Sequence, residues 1–156
     1  MIDSNFIKNS KLSIQNVSRE TLDELNKYSL SIIKKNKEIN LISSSTEKSI
    51  NTRHIADSAQ TIDFINKNDV KICTDLGSGA GLPGIVLAIL MKPQKPEFKV
   101  IFYEKSYHKS NFLKEISKKF KLNTEINQKN IFEQKNLETD IIISRAFKPL
   151  PVIFGI

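Results

Sequence analysis

Asp75, the glycines at 77, 79 and 81, Pro83 and Gly84 fall within ten consecutive positions of "TDLGSGAGLPG" (74–84), and Glu104 and Arg145 each stand at the end of a separate apolar run. Residue types of this kind bind rather than cut. Glycines let a ligand approach the main chain closely, a carboxylate can hold both hydroxyls of a ribose, and a guanidinium makes planar, multi-donor contacts that lysine cannot. From Gly79 the stretch spells G-x-G-x-x-G, the fingerprint of a dinucleotide-binding turn. From Asp75 it spells D-x-G-x-G-x-G, which suits a ligand without phosphates.

The elements that deliver these residues decide between the two spellings. "VKICTDL" (70–76) is a short apolar run that ends at the turn, and "GIVLAILM" after it has the composition of a buried helix. A strand "KVIFYE" (99–104), a helix from Ser106 to Phe120, a strand "NTEIN" (123–127) and a strand "DIIIS" (140–144) follow. Strand and helix alternating with short connections predict an α/β fold with a parallel sheet. Upstream, Leu22, Leu25, Tyr28, Ile32 and Ile39 recur at helical spacing behind a Ser18 cap. "SSST" (43–46) breaks that pattern, and "RHIADSAQTIDFI" (53–65) predicts a second helix with Ile55, Ala59, Ile62 and Ile65 on one face. The expected organisation is a helical N-terminal extension over 1–69 and a Rossmann-like domain over 70–156, forming one compact unit.

In that frame the first strand ends near Leu76, so Gly77 is the first glycine of the turn. Pro83 in the first turn of the next helix supplies no N–H, and pyrophosphate is held largely by such groups. No Gly-Lys-Ser/Thr follows, which excludes a P-loop. Asp75 is placed to accept a hydrogen bond from a cationic amine or to brace the loop. Glu104 ends the strand beside the first, where an acid holds ribose hydroxyls in nucleotide-binding sheets. Together these features favour S-adenosylmethionine, a nucleoside with an amino-acid tail and no phosphate. The competing reading leaves Asp75 as a turn cap and Glu104 as a solvated strand end.

The 156-residue chain carries a formal net charge of +7, unevenly spread. Residues 1–70 hold 10 basic and 9 acidic side chains, and residues 71–156 hold 14 and 8. A basic half invites a polyanion, nucleic acid first. Lys105, Lys109, Lys114, Lys118, Lys119 and Lys121 form the stretch assigned to RNA phosphates, which give affinity without choosing a base. The single cysteine, Cys73, lies in an apolar run and is expected to be buried. The polar start of the chain lacks a signal peptide's apolar core, and no apolar run is long enough to span a bilayer. The expected setting is the cytoplasm, with no membrane and no metal, and the expected state is a monomer.

"HIADSA", "TDLGSGAGLPGIVLAI" and "DIIISRAF" resemble, in order and spacing, the RsmG (GidB) family of bacterial small-subunit rRNA methyltransferases. The resemblance covers about Ser18 to Phe147. It implies the Rossmann-like class I S-adenosylmethionine-dependent methyltransferase fold, and transfer of the donor's methyl group to N7 of a guanine in 16S rRNA. It further implies donor contacts at Gly77, Leu82, Asn130, Ile131 and Arg145, beside Asp75, Gly79 and Glu104. His54, Asp57 and Ser58 match the family's H-x-x-D-S signature and, with Lys105, Lys109 and Arg145, are candidates for substrate contact. The chain departs from the family at Tyr107, His108 and Lys109, where Gly-Lys-Arg is commoner, and at Asn130 and Ile131, where Val/Ala-Glu is often seen. Only "RAFKPLPVIFGI" follows the fourth strand, so the family's C-terminal strands are expected to be missing.

Guanine N7 already carries an in-plane lone pair, so no catalytic base is expected and positioning has to supply the rate. Only 3 of the 24 cations are arginine, which marks Arg145 as a choice over lysine. His54 and Asp57 lie on one helix face and either brace the helical layer against the donor loop or form a local pair. His108 is expected at the surface. Two other functions remain open on sequence alone: a methyltransferase of the same fold acting on another substrate, and a non-catalytic RNA-binding relic.

Overall fold

The computed structural model describes residues 2, 17–66, 69–134, 136–145, 149 and 151. Most of the N-terminal segment, Ala146 and Phe147 of the third motif, and most of the tail after Arg145 lie outside the described residues. Helix α1 spans Arg19–Asn36. The Ser18 side chain caps it by accepting a hydrogen bond from the Thr21 N–H at 3.1 Å, and Leu22, Leu25, Tyr28 and Ile32 form its buried stripe.

The helix expected over 53–65 is broken into three pieces. A π-helical turn covers Asn51–Ala56, a single turn α2 covers Asp57–Ala59, and α3 covers Ile62–Asn66. The Thr61 hydroxyl donates to the Ser58 carbonyl at 2.7 Å, the acceptor that an unbroken helix would give to the Ile62 N–H. Side-chain competition of this kind ends helices locally. The apolar face survives the break, since Ile55, Ala59, Ile62 and Ile65 are all buried. "SSST" leads into a 3-10 turn over Ser44–Ser49.

The sheet has strands β1 (Ile72–Leu76), β2 (Lys99–Tyr103), β3 (Thr124–Asn127) and β4 (Ile141–Ser144). All are parallel in the order β3-β2-β1-β4. Helix α4 (Gly84–Met91) links β1 to β2, and α5 (Tyr107–Phe120) links β2 to β3. The Ser106 side chain accepts from Lys109 N–H and caps α5. Because the chain steps from β1 through β2 to β3 and then returns to the far side of β1, the order reverses at β1. In open α/β sheets, ligands bind at the carboxyl edge near such a reversal. The start of β4 is pinned to the start of β1 by Asp140, whose carboxylate accepts from the N–H groups of Lys71 and Ile72, each at 2.8 Å.

All eight residues of α4 are buried, which explains why this helix carries no polar face. It is enclosed by the sheet and by the helical layer, whose Leu25, Tyr28, Ile55 and Ile62 share one apolar cluster with Ile85, Val86 and Ile89. The Tyr28 hydroxyl donates to the Ala80 carbonyl at 2.8 Å, tying α1 to the glycine turn. Cys73 is buried and free. β4 is an edge strand of alternating burial, with Ile142 41% exposed. Among the described residues no helix is long and apolar enough to cross a membrane, and no group of three or more His, Cys, Asp or Glu side chains could hold a metal ion.

Candidate active site

The glycine turn leaves β1 with φ of +67° at Gly77, +57° at Gly79 and +90° at Gly81, values that side chains seldom adopt. Its main chain is anchored to the neighbouring strand. Gly77 N–H donates to the Tyr103 carbonyl at 2.9 Å, and Gly81 N–H closes a tight turn on Ser78 O at 2.7 Å. The Ser78 hydroxyl donates to Asp75 O at 2.9 Å. Pro83 occupies the cap position immediately before α4 rather than its first turn.

Glu104 sits one residue beyond β2 and is 7% exposed. Its two carboxylate oxygens accept from two different loops: Oε2 from Gly79 N–H at 2.9 Å and Oε1 from Ser106 N–H at 2.8 Å. The acid therefore fixes the glycine turn against the start of α5 while keeping free lone pairs. It lines an open cavity of about 180 Å³ together with Gly77, Tyr103, Lys105, Lys129, Asn130 and Ile131. Asn130 reaches this wall because its side chain caps the short 3-10 turn Ile131–Glu133 by accepting from Phe132 N–H. Ile131 is 2% exposed and packs with Leu76 and Tyr103.

Gly77, Glu104, Asn130, Ile131 and Lys105 are thus brought together around one cavity, with Gly79 bonded directly to its acid. Leu82 belongs to the main apolar cluster at 4% exposure. Lys109 is half-buried one turn into α5, while Tyr107 and His108 are exposed and meet edge to face at 5.6 Å. Ser58 is buried with its hydroxyl unpaired. Two cavity residues escaped sequence reasoning: Tyr103, and Lys129, whose ammonium lies 5.7 Å from the Tyr103 ring centre. The available signal for Tyr103 was its position immediately before Glu104, at the carboxyl end of β2.

Asp75 lies beneath the turn rather than on the cavity wall. It is fully buried, its Oδ2 accepts from Gly84 N–H at 2.9 Å, and its Oδ1 has no partner. Burial pushes its carboxyl up from the ordinary 3.8 to about 7, against the opposing pull of the Gly84 N–H and Arg145. A folded pKa above the unfolded one means that the fold favours the protonated form. The resulting stability is complete below the unfolded value and lost as pH rises through about 7. Stability should therefore fall by up to roughly 4 kcal/mol as pH rises from the unfolded value of 3.8 to about 7. Asp75→Asn can keep the Gly84 bond and should flatten that slope in denaturant titrations run across pH. An unchanged slope would show that Asp75 is not its source.

Arg145 follows β4, and its guanidinium donates to His54 Nδ1 at 2.7 Å. Burial, then the Arg145 charge, lowers the His54 pKa, with Asp57 opposing. The end of β4 is thereby joined to the helical layer. The Ser144 hydroxyl reaches back to Leu76 O at 3.3 Å, holding the β1 and β4 ends together.

Two solved structures share the fold, at sequence identities that speak to the fold alone. One is a crystal structure assigned to a protein-L-isoaspartate O-methyltransferase of Plasmodium falciparum in complex with S-adenosyl-L-homocysteine. It has TM-score 0.53 and 22% identity, covering 90% of this chain and 71% of that one. The other is a coclaurine N-methyltransferase bound to N-methylheliamine and S-adenosylhomocysteine, with TM-score 0.50 and 16% identity, covering 89% of this chain and 45% of that one. Among curated sequences, the ribosomal RNA small subunit methyltransferase G of Pelagibacter ubique is 50% identical over 147 residues, 93% of this chain and 68% of the relative. That of Cereibacter sphaeroides is 36% identical over 145 residues, 93% of this chain and 70% of the relative. A family model described as rRNA small subunit methyltransferase G matches residues 21–156, and the chain belongs to that family.

Proposed function

We propose that this chain transfers the methyl group of S-adenosylmethionine to N7 of a guanine in 16S rRNA of the small ribosomal subunit. The observation that carries the reading is Glu104, held by Gly79 and Ser106 and lining one cavity with Asn130 and Ile131. The donor set suits a nucleoside. The Glu104 carboxylate can accept from two ribose hydroxyls, and the apolar Ile131 with the Asn130 main chain offers a face for the adenine. The Gly77 main chain, without a side chain, admits the amino-acid tail. Asp75 contributes from below by fixing the start of α4, not by touching the donor.

When bound, the cofactor supplies a methyl carbon made electrophilic by its sulfonium sulfur. Guanine N7 needs no deprotonation, so the residues of this chain act by orientation and by excluding water. Lys105 and Lys129 at the cavity, with the exposed lysines of α5 beyond, supply positive charge for RNA phosphates. The cytoplasm, where small subunits mature, is the corresponding place of action.

Calorimetric titration with S-adenosylmethionine tests the site directly. Saturable binding with one donor per chain is expected. No detectable binding would remove the enzymatic reading and leave only an RNA-binding role.

A further inference from the structure

Arg145 does not stand alone at the end of β4; it is one end of a chain of hydrogen bonds with a single possible direction. A guanidinium has donors only, so His54 Nδ1, 2.7 Å from Arg145 Nη2, must accept. The imidazole proton is then on Nε2, which lies 2.8 Å from Thr46 Oγ1. The Thr46 hydroxyl has its own hydrogen committed to the Ser43 carbonyl at 2.8 Å, so it can receive the Nε2 proton and not the reverse. Arg145, His54, Thr46 and Ser43 form a relay that closes only with a neutral imidazole in one tautomer.

We propose that His54 is a positioning residue for methyl transfer: as the Nε2-protonated neutral ring, it aims Arg145 at the carboxyl edge of the sheet where donor and guanine meet. This rests on the rRNA methyltransferase reading. The relay joins two neighbouring turns, the 3-10 turn carrying Thr46 and the π-helical turn carrying His54, to the end of β4, 91 positions beyond His54. An arginine on an exposed strand end otherwise samples many rotamers, and lysine in its place would lack the planar fork.

Burial and the Arg145 charge together outweigh the one group that favours a charged His54. Arg145 from β4 opposes protonation, Asp57 from α2 favours it without a hydrogen bond, and Thr46 from the 3-10 turn is neutral. Glu47, beside Thr46, is occupied by the Asn36 amide. Tyr28 from α1 is neutral, its hydroxyl bound to Ala80 O, and burial holds its pKa well above the ordinary value. Acid closes the relay down, because an imidazolium has no acceptor for Arg145 and repels it.

Two measurements test this. The chain has only two histidines, so nitrogen-15 NMR resolves His54. The Nε2–H tautomer is expected, with a midpoint below that of an ordinary histidine that rises in Arg145→Ala. An Nδ1–H tautomer, or a midpoint indifferent to Arg145→Ala, overturns the relay whether or not the protein methylates RNA. The second measurement follows methyl transfer to unmethylated small subunits across pH. The wild type should lose rate on the acid side in step with His54. His54→Asn keeps an acceptor that does not titrate, and should retain the alkaline rate while losing the acid limb. His54→Ala should show no acid limb and run at every pH roughly tenfold below the wild type's alkaline rate, the worth of one hydrogen bond to a charged group. An identical acid limb in His54→Asn overturns the positioning role, while absence of transfer by the wild type would count against the rRNA reading instead.

Discussion

Gly81→Ala is expected to cost roughly 3 kcal/mol of folding stability, whereas Gly79→Ala, two positions earlier, is expected to cost only about 1 kcal/mol. Both residues have positive φ, +90° at Gly81 and +57° at Gly79, so both substitutions strain the backbone. They differ in what a new Cβ would meet. At Gly79 the nearest atom is the Gly77 carbonyl oxygen at 3.9 Å, an ordinary contact. At Gly81 it would run into the Ile85 side chain and lie 2.8 Å from Leu113 Cδ2. Ile85 and Leu113 are both fully buried, so neither can swing into solvent and α4 or α5 must shift. Overpacking of that kind is added to the strain. Urea denaturation at fixed pH measures the contrast, and equal costs for the two variants would contradict the packing described here.

The second large effect is expected from Glu104→Gln. The carboxylate accepts from Gly79 on one oxygen and from Ser106 on the other. An amide of the same shape has a single acceptor, so its NH₂ group must face one of those N–H donors. A buried N–H without a partner costs about 1–3 kcal/mol, and the carboxylate proposed to accept from the ribose is lost at the same time. Affinity for S-adenosylmethionine should fall by roughly 10- to 100-fold, the equivalent of one hydrogen bond to a charged group. Calorimetry on the folded variant reads this. Unaltered affinity would show that the donor does not use Glu104.

Much of the frame was legible in the sequence because it depends on local signals. Ser18 and Ser106 mark two helix starts, the uniformly apolar "GIVLAILM" marks a helix buried on every side, and each strand ends within a residue of the expected place. The glycine turn and Arg145 both lie at the carboxyl edge of the sheet, after β1 and β4. The interruption of residues 53–65 was not legible, since it turns on which carbonyl the Thr61 hydroxyl captures, a choice that apolar periodicity does not encode. Asp75 illustrates a second limit. Spacing puts a carboxylate next to the turn, but only the strand pleat and the packing of Gly84 decide that it faces downward into the fold. Tyr103 and Lys129 were missed because they come together from β2 and from the loop after β3, and nothing in either segment alone predicts the other. The His54 relay has the same character, joining residues 91 positions apart.

The most direct test of the central claim is methyl transfer itself. Small ribosomal subunits lacking the guanine-N7 mark would be incubated with the protein and S-adenosylmethionine carrying a labelled methyl group. Label is expected in 16S rRNA, confined to N7 of a guanine, absent from subunits that already bear the mark, and strongly reduced with Glu104→Gln. Label on another atom, on ribosomal protein, or no label despite demonstrated donor binding would contradict it.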